Sequence, residues 1–500
     1  EPIGRFEKIL TTVAELLEQG HFSPKKLDDA FSKEVFDNYL KMMDGDKSFL
    51  LKANVQELRA FETQVDNEMR TGKTQLVPAF DKIYNERLEI VEGFYKEILE
   101  KPFDFSKEEK LQLDSDKRDY AANDAQLKEY WRKRLKYMAL ERYAEALDTR
   151  EKNKDSANFE IKDDATLEKE ARDRVRTIWD RNFNRIKRRL TLDEKFNMYV
   201  NAIAETMDPH TQFFPPVERR AFDEAMSGRF FGIGAQLQET DGNIKIASVI
   251  TGSPAWKSGE IQVNDIIIKV GQGEEEPVDI TGFETPDAVR LIRGKKGTEV
   301  RLTLRKVDGS IKVVPIIRDE IITDDTYARS AIIQKDNKIG YIFLPEFYAN
   351  FEDPNGARSA RDVANEIKKL KAEGVDGIVM DLRYNGGGSL QDVIQMVGLF
   401  IEDGPVVQVK DKDGQPSVYR DRDKTVLYDG PLVVMINEFS ASASEIFAAA
   451  IQDYGRGIVV GMPSYGKGTV QRQVGLDPNG GFFTQNSELG SLKLTLQKFY

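Results

Sequence analysis

The sequence contains no cysteine and only two histidines among its 500 residues. Without cysteine there is no disulfide, no thiolate metal site and no thiol nucleophile, while the redox compartment stays open. His21 and His210 lie far apart in the chain, so a zinc site or a Ser-His-Asp triad would need one of them carried to the chemistry; no metal or other cofactor is expected. Long apolar runs are missing too. No stretch nears the ~20 residues of a membrane span, so no integral membrane segment is expected. The opening Glu1-Pro2-Ile3-Gly4 lacks the basic-then-apolar profile of a signal peptide, so an export signal is absent from this stretch. Positive charge is not in excess. A net charge of −12 argues against a nucleic-acid partner. The basic run Arg185-Ile-Lys-Arg-Arg189 reads as a solvated helix face.

What is present is enough apolar content, 40%, for about three to four cored domains. Residues 1–200 read as a helical domain. Phe6, Ile9, Leu10, Val13, Leu16 and Leu17 recur at the three-and-four spacing of one buried stripe that Gly20 ends. Ser23-Pro24 then offers a cap and a first-turn proline for a second helix burying Leu27, Phe31, Val35, Phe36, Tyr39 and Leu40. Helical periodicity continues through 84–100, 127–150 and 165–190, with a mobile loop expected around Lys152–Asp164. Residues 201–227 form a connection, where the prolines of Met207-Asp-Pro-His-Thr-Gln-Phe-Phe-Pro-Pro216 stop the helical pattern. Residues 228–320 read as a small β module with one helix at Thr285–Arg293. From 321 to 500 strands and helices alternate, which predicts a layered α/β core with crossover helices. Ser491–Tyr500 is a period-two strand with no stop signal after it, so this core is expected to be C-terminally incomplete.

The chemistry gathers in this last region. Met435-Ile-Asn-Glu-Phe-Ser-Ala-Ser-Ala-Ser-Glu-Ile446 puts Ser440, Ser442 and Ser444 at a strand-to-helix turn, where unpaired N–H groups favour a developing oxyanion. A serine there can equally be a helix cap. Lys467 follows, flanked by Gly466 and Gly468. With histidine so scarce, lysine is the candidate base, and it serves only when neutral, so its pKa must fall from about 10.4 toward neutrality by desolvation. Gln471 can hold the amine without adding charge. A second glycine cluster, Asp381-Leu-Arg-Tyr-Asn-Gly-Gly-Gly-Ser-Leu390, can bind a phosphate, form an oxyanion hole or simply turn. Gly461-Met-Pro-Ser-Tyr-Gly-Lys-Gly-Thr469 nearly matches a nucleotide phosphate loop, with Asp381 as a magnesium-side carboxylate. Gly468 stands where that loop needs a hydroxyl, and the residues after it alternate like a strand.

The run Asn437–Ile446 together with Gly466-Lys-Gly-Thr-Val-Gln471 resembles the carboxyl-terminal processing proteases, in particular their tail-specific branch. Asp208-Pro-His-Thr, Asn385-Gly-Gly-Gly and Gly20-His-Phe-Ser, Leu27-Asp-Asp and Phe36-Asp-Asn-Tyr-Leu40 extend the similarity over nearly the whole chain. The resemblance implies a multidomain α+β protein: an N-terminal helical domain, a PDZ-like β module and a crotonase-like α/β serine protease core. It implies Ser442 as nucleophile, Lys467 as general base, Gln471 as the residue orienting the lysine and Asp453 as an accessory acid position. About three helical turns beyond Ser442, Asp453 reads as support rather than a proton partner. The implied oxyanion hole is the N–H of Ala443 with one from Gly387 or Gly388. Ser440 and Ser444 then become turn and helix-start residues, and His210 structural. Phe231-Gly232-Ile233-Gly234 stands where PDZ domains receive a C-terminal carboxylate, with a peptide strand added beside Ile233–Leu237 and an apolar pocket near Val289 and Ile292. The implied activity is ATP-independent endoproteolysis of polypeptides with apolar, disordered C-termini, in a bacterial periplasm. The alternatives are a PDZ scaffold with a degenerate core and the nucleotide-binding protein.

Overall fold

The computed structural model describes residues 2–155, 159–216, 230–240, 242–321, 327–350, 355–476 and 488–500. The chain divides into two compact units: Glu1–Pro216 with Arg472–Thr495, and Val217–Gln471 with Leu496–Tyr500.

The first unit is mainly helical, with α1 (Pro2–Glu15), α2 (Asp29–Asp44), α3 (Lys52–Leu58), α4 (Val65–Thr71), α5 (Leu76–Ile98), α6 (Asp124–Asn153), α7 (Asp164–Arg189) and α8 (Leu192–Met207). The predicted stripe of α1 is buried and runs through a π turn to Gly20. α2 buries the predicted Phe31, Val35, Phe36, Tyr39 and Leu40. Its cap differs from the expectation. Asp28, not Ser23-Pro24, accepts the N–H groups of Ala30 and Phe31, while the Ser23 N–H is taken by His21 Nδ1. α8 carries the helical stretch to Met207, beyond the expected boundary at 200. Residues 156–158 of the expected mobile loop, 217–227 of the expected connection and 228–229 of the expected β module lie outside the described residues.

Where α8 ends, Asp208 acts as a hub. Its carboxylate accepts from His21 Nε2 at 2.5 Å, from the His210 N–H at 2.7 Å, and from the hydroxyls of Thr211 and Thr495. Burial pushes this carboxyl up, but the bonds from His21, Thr211 and His210 outweigh it and hold it well below the usual carboxylate range. Thr495 lies on β18 (Ser491–Phe499), which pairs antiparallel with β1 (Gln212–Phe214), so the stretch Arg472–Thr495 groups with the helices rather than with the rest of the expected core.

Among its described residues the second unit contains two main sheets around separate apolar clusters, together with the pair Phe230–Gly232 with Asp319–Ile321 and the hairpin Gly404–Lys410 with Pro416–Asp421. The β module has β2 (Phe230–Gly232), β3 (Ala235–Thr240), β4 (Asn243–Val249), α9 (Pro254–Ser258), β5 (Ile266–Gln272), β6 (Val278–Asp279), α10 (Thr285–Ile292), β7 (Glu299–Arg305), β8 (Ile311–Ile317) and β9 (Asp319–Ile321). Its main sheet runs β3-β4-β5-β7-β8, which leaves β3 an edge strand, and β2 pairs with β9. The core holds β10 (Arg329–Gln334), β11 (Lys338–Phe343), α11 (Ser359–Ala372), β12 (Gly377–Asp381), α12 (Leu390–Val397), β13 (Gly404–Lys410), β14 (Pro416–Asp421), β15 (Leu432–Ile436), α13 (Ala443–Asp453), β16 (Ile458–Gly461) and β17 (Thr469–Gly475), the last running on past Gln471. Its sheet order is β10-β11-β12-β15-β16, with β11, β12, β15 and β16 parallel. β12 is buried along most of its length, as a central parallel strand covered on both faces must be. α11 buries Ala360, Val363, Ile367 and Leu370 at helical spacing against it. Parallel strands end at one edge of the sheet, so the loops after β12, β15 and β16 emerge side by side.

Candidate active site

Those three loops carry the glycine cluster, the serines and Lys467. After β15, Asn437 begins a tight turn. Ser440 is fully buried and donates to the Leu382 carbonyl at 2.8 Å, while Ser444, in the first turn of α13, donates to the Asn385 carbonyl at 2.9 Å. Both hydroxyls tie the turn to the glycine loop. Ser442, between them, sits at φ 56° and ψ −112° just ahead of α13. A positive φ at a non-glycine residue costs about 1–3 kcal/mol, and such strain collects at functional turns. Of the three serines, the one held in the strained position is the one the resemblance selects.

The glycine loop packs directly on this turn. A Cβ on Gly387 would lie 2.8 Å from Ser442 Cβ, and one on Gly388 would lie 2.3 Å from the Phe347 carbonyl; both residues have positive φ. Only glycine admits this approach. The N–H of Gly387 is already spent on Asn385 Oδ1 at 2.9 Å. That narrows the two candidate donors to Gly388, whose N–H, like that of Ala443, makes no hydrogen bond to a described residue.

The lysine loop reaches the same place through a residue that the sequence reading did not select. Glu445 Oε2 accepts the N–H of Ser442 at 2.8 Å and the N–H of Lys467 at 2.9 Å; Oε1 accepts from the Gly466 N–H at 2.6 Å and the Ser464 hydroxyl at 2.7 Å. Two nitrogens bonded to one oxygen lie within about 6 Å of each other. One carboxylate therefore fastens the serine turn to the lysine loop. Its local signal was the serine followed three positions later by glutamate, which is a capping box; its second set of partners has no local signature. Lys467 is half-buried, and Gln471, on β17, donates to Thr469 Oγ1 at 2.8 Å. Asp453 is exposed at the far end of α13. The residues after Lys467 form β17 and not a helix, so the nucleotide-loop alternative fails: no helix N-terminus follows to face a phosphate.

In the β module, Phe231 and Gly232 lie on β2, and Ile233 and Gly234 lead into the edge strand β3. The N–H groups of Ile233 and Gly234 make no hydrogen bond to a described residue. Val289 is half-buried on α10. The Ile233 and Ile292 side chains belong to the module's own core, at 3% exposure each.

An α/β core with a strained serine, a glycine loop and a lysine loop on one sheet edge, preceded by a PDZ-type module, has counterparts among known proteins. Residues 338–500 match peptidase family S41, 223–305 the PDZ domain and 13–217 the tail-specific protease N-terminal domain. The chain belongs to the tail-specific protease family. It is 36% identical over 493 residues to the tail-specific protease of Haemophilus influenzae, covering 97% of this chain and 66% of that protein. It is 38% identical over 265 residues to the carboxy-terminal processing protease CtpA of Bacillus subtilis, covering 53% of each. The chain thus spans less than two thirds of the length of either relative. Among solved structures, a photosystem II D1 C-terminal processing protease aligns at 21% identity and a TM-score of 0.35, covering 64% of this chain and 82% of that one. The peptide-bound PDZ domain of a carboxy-terminal protease from Vibrio cholerae aligns at 41% identity and a TM-score of 0.19, covering 19% of this chain and 99% of that one.

Proposed function

We propose that this chain is an ATP-independent serine endoprotease that works through a Ser442/Lys467 dyad. Ser442 attacks the peptide carbonyl, neutral Lys467 takes its proton and passes it to the leaving amine, and water releases the acyl-enzyme. The N–H groups of Ala443 and Gly388 hold the oxyanion. Gln471 orients the lysine, and Asp453 supports the helix behind the nucleophile. The observation that carries this reading is the Glu445 carboxylate bonded at once to the backbones of Ser442 and Lys467.

The PDZ module supplies the substrate preference in this reading. Its open edge at β3 accepts an extended C-terminal segment as an added strand, the amides of Ile233 and Gly234 take the terminal carboxylate, and Val289 contacts the last apolar side chain. The substrates are polypeptides with apolar, disordered C-termini. The tail-specific protease of Haemophilus influenzae and CtpA of Bacillus subtilis are bacterial proteins, and the cellular site we assign is the periplasm. Among the described residues no helix is long and apolar enough to cross a membrane. The domains in this assignment are the helical domain to about residue 200, a connection to 227, the PDZ module to 320 and the protease core thereafter.

An unfolded protein carrying either an apolar or a charged tail, offered without ATP, tests the reading. The apolar-tailed form is expected to be cleaved at least ~10-fold faster. Equal cleavage of both tails removes the role of the PDZ module, and cleavage that requires nucleotide removes ATP independence.

A further inference from the structure

The core contains a cavity that the dyad mechanism does not use. Its volume is about 300 Å³, and it lies at the carboxyl ends of β11 and β12, walled by Ala331, Tyr341, Phe343, Asp381, Arg383 and Tyr384. One side is a closed polar network. The buried Asp381 carboxylate accepts the Tyr341 hydroxyl at 2.5 Å and Arg383 Nε and Nη2 at 3.0 and 2.8 Å. Burial raises its pKa, but the Arg383 and Tyr341 bonds outweigh burial and leave it lowered, so the group is a satisfied anion that asks no charge of a ligand. What the cavity still offers is the aromatic surface of Tyr341, Phe343 and Tyr384, with the Arg329 guanidinium 5.2 Å from the Phe343 ring centre.

Tyr384 belongs to a second feature as well. Its ring stacks on Phe439, centroids 5.4 Å apart and planes 18° from parallel, yet the two residues are 71% and 53% exposed. The pair is held in the open deliberately. Asn437 Oδ1 accepts both backbone N–H groups, at 2.9 and 3.2 Å, and Tyr384 takes a φ of 63°, a strained conformation for a bulky residue. Strain that keeps two rings in water marks a binding surface rather than a folding contact. Tyr384 stands in the same loop as Gly387, which packs on Ser442, and Phe439 stands in the turn that carries Ser442. The pair therefore belongs to the two loops that build the site.

We propose that the cavity and the Tyr384–Phe439 pair form a side-chain subsite that takes one large apolar residue, aromatic or aliphatic, of the polypeptide beside the bond Ser442 attacks. It rests on the proteolytic reading above and adds a preference at the cut site to the one at the tail. The volume suits a single large side chain, and rings on its walls reward burial of an apolar group.

The test uses short peptides with amidated C-termini, so that carboxylate capture contributes nothing, each bearing phenylalanine or alanine at one position at a time. Cleavage is measured for the unsubstituted chain, Ala331→Trp and Tyr384→Gly, and binding for Ser442→Ala with and without Ala331→Trp. Ala331 is exposed on the edge strand β10, where a larger side chain can fill the cavity without entering the core. Tyr384→Gly deletes the ring and relieves the backbone. At one position phenylalanine is expected to be favoured about tenfold or more, in kcat/KM and in binding, and either substitution is expected to abolish that preference. No preference at any position, or a preference that survives both substitutions, overturns the subsite. Should the unsubstituted chain cleave nothing while Ser442→Ala shows a preference that Ala331→Trp removes, the proteolytic reading fails and the subsite stands. Loss of both activity and preference overturns both.

Discussion

Glu445 fastens the serine turn to the lysine loop. Its two oxygens accept four donors from Ser442, Ser464, Gly466 and Lys467. Glu445→Ala leaves those donors without their acceptor, at a cost of about 1–3 kcal/mol. It also lets the lysine loop drift, and a displacement near 1 Å at reacting groups can lower the rate by about 100-fold. Steady-state kinetics with urea unfolding is expected to show kcat falling at least ~10-fold while KM for the tail-bearing substrate holds. An unchanged kcat would count against the fastening role. Glu445→Gln keeps an oxygen acceptor and is expected to recover part of the rate.

Among elements, the glycine loop separates residues that share a name but not a role. Gly386 has nothing within 4 Å of an added Cβ, whereas one on Gly388, at φ 139°, would strike the Phe347 backbone. Gly386→Ala is expected to be nearly neutral, while Gly388→Ala costs at least ~1 kcal/mol and most of the activity; thermal melting and a cleavage assay read both. Much at this scale was legible in the sequence. The stripe of Phe6 to Leu17 announces itself through local periodicity, and the alternation of strands and helices expected from residue 321 is what β10 to β16 with α11, α12 and α13 display. What was not legible depends on partners distant in the chain. α2 starts at Asp29, so its cap is Asp28, whose carboxylate accepts the Ala30 and Phe31 N–H groups, and Ser23-Pro24 stands too far upstream to cap it. The hairpin of β13 and β14 was not anticipated, because a proline stands in each strand and β14, exposed at every position but its last, shows no alternating buried face. Gly387 was indistinguishable from Gly388 until Asn385 was seen to take its N–H. Ser442 could not be separated from Ser440 and Ser444 by spacing; the resemblance chose it, and the backbone strain is visible only in three dimensions.

For the molecule as a whole, each of the two units carries its own prediction. In the helical unit Asp208 joins the end of α8 to His21 and to Thr495 of β18. Its folded pKa lies below the unfolded value, so its stabilisation is present above about pH 4 and is lost as pH falls toward the folded value. Urea unfolding across pH 3 to 7 is expected to show the advantage of the parent chain over Asp208→Asn shrinking as pH drops below about 4; an advantage that grows on acidification would reverse the sign of this linkage. The catalytic unit stands or falls on the dyad. Ser442→Ala and Lys467→Ala, each confirmed as folded, should be incubated without ATP with an unfolded protein bearing an apolar tail. Each is predicted to cut cleavage by at least ~10³-fold, whereas full activity in either one would contradict the account.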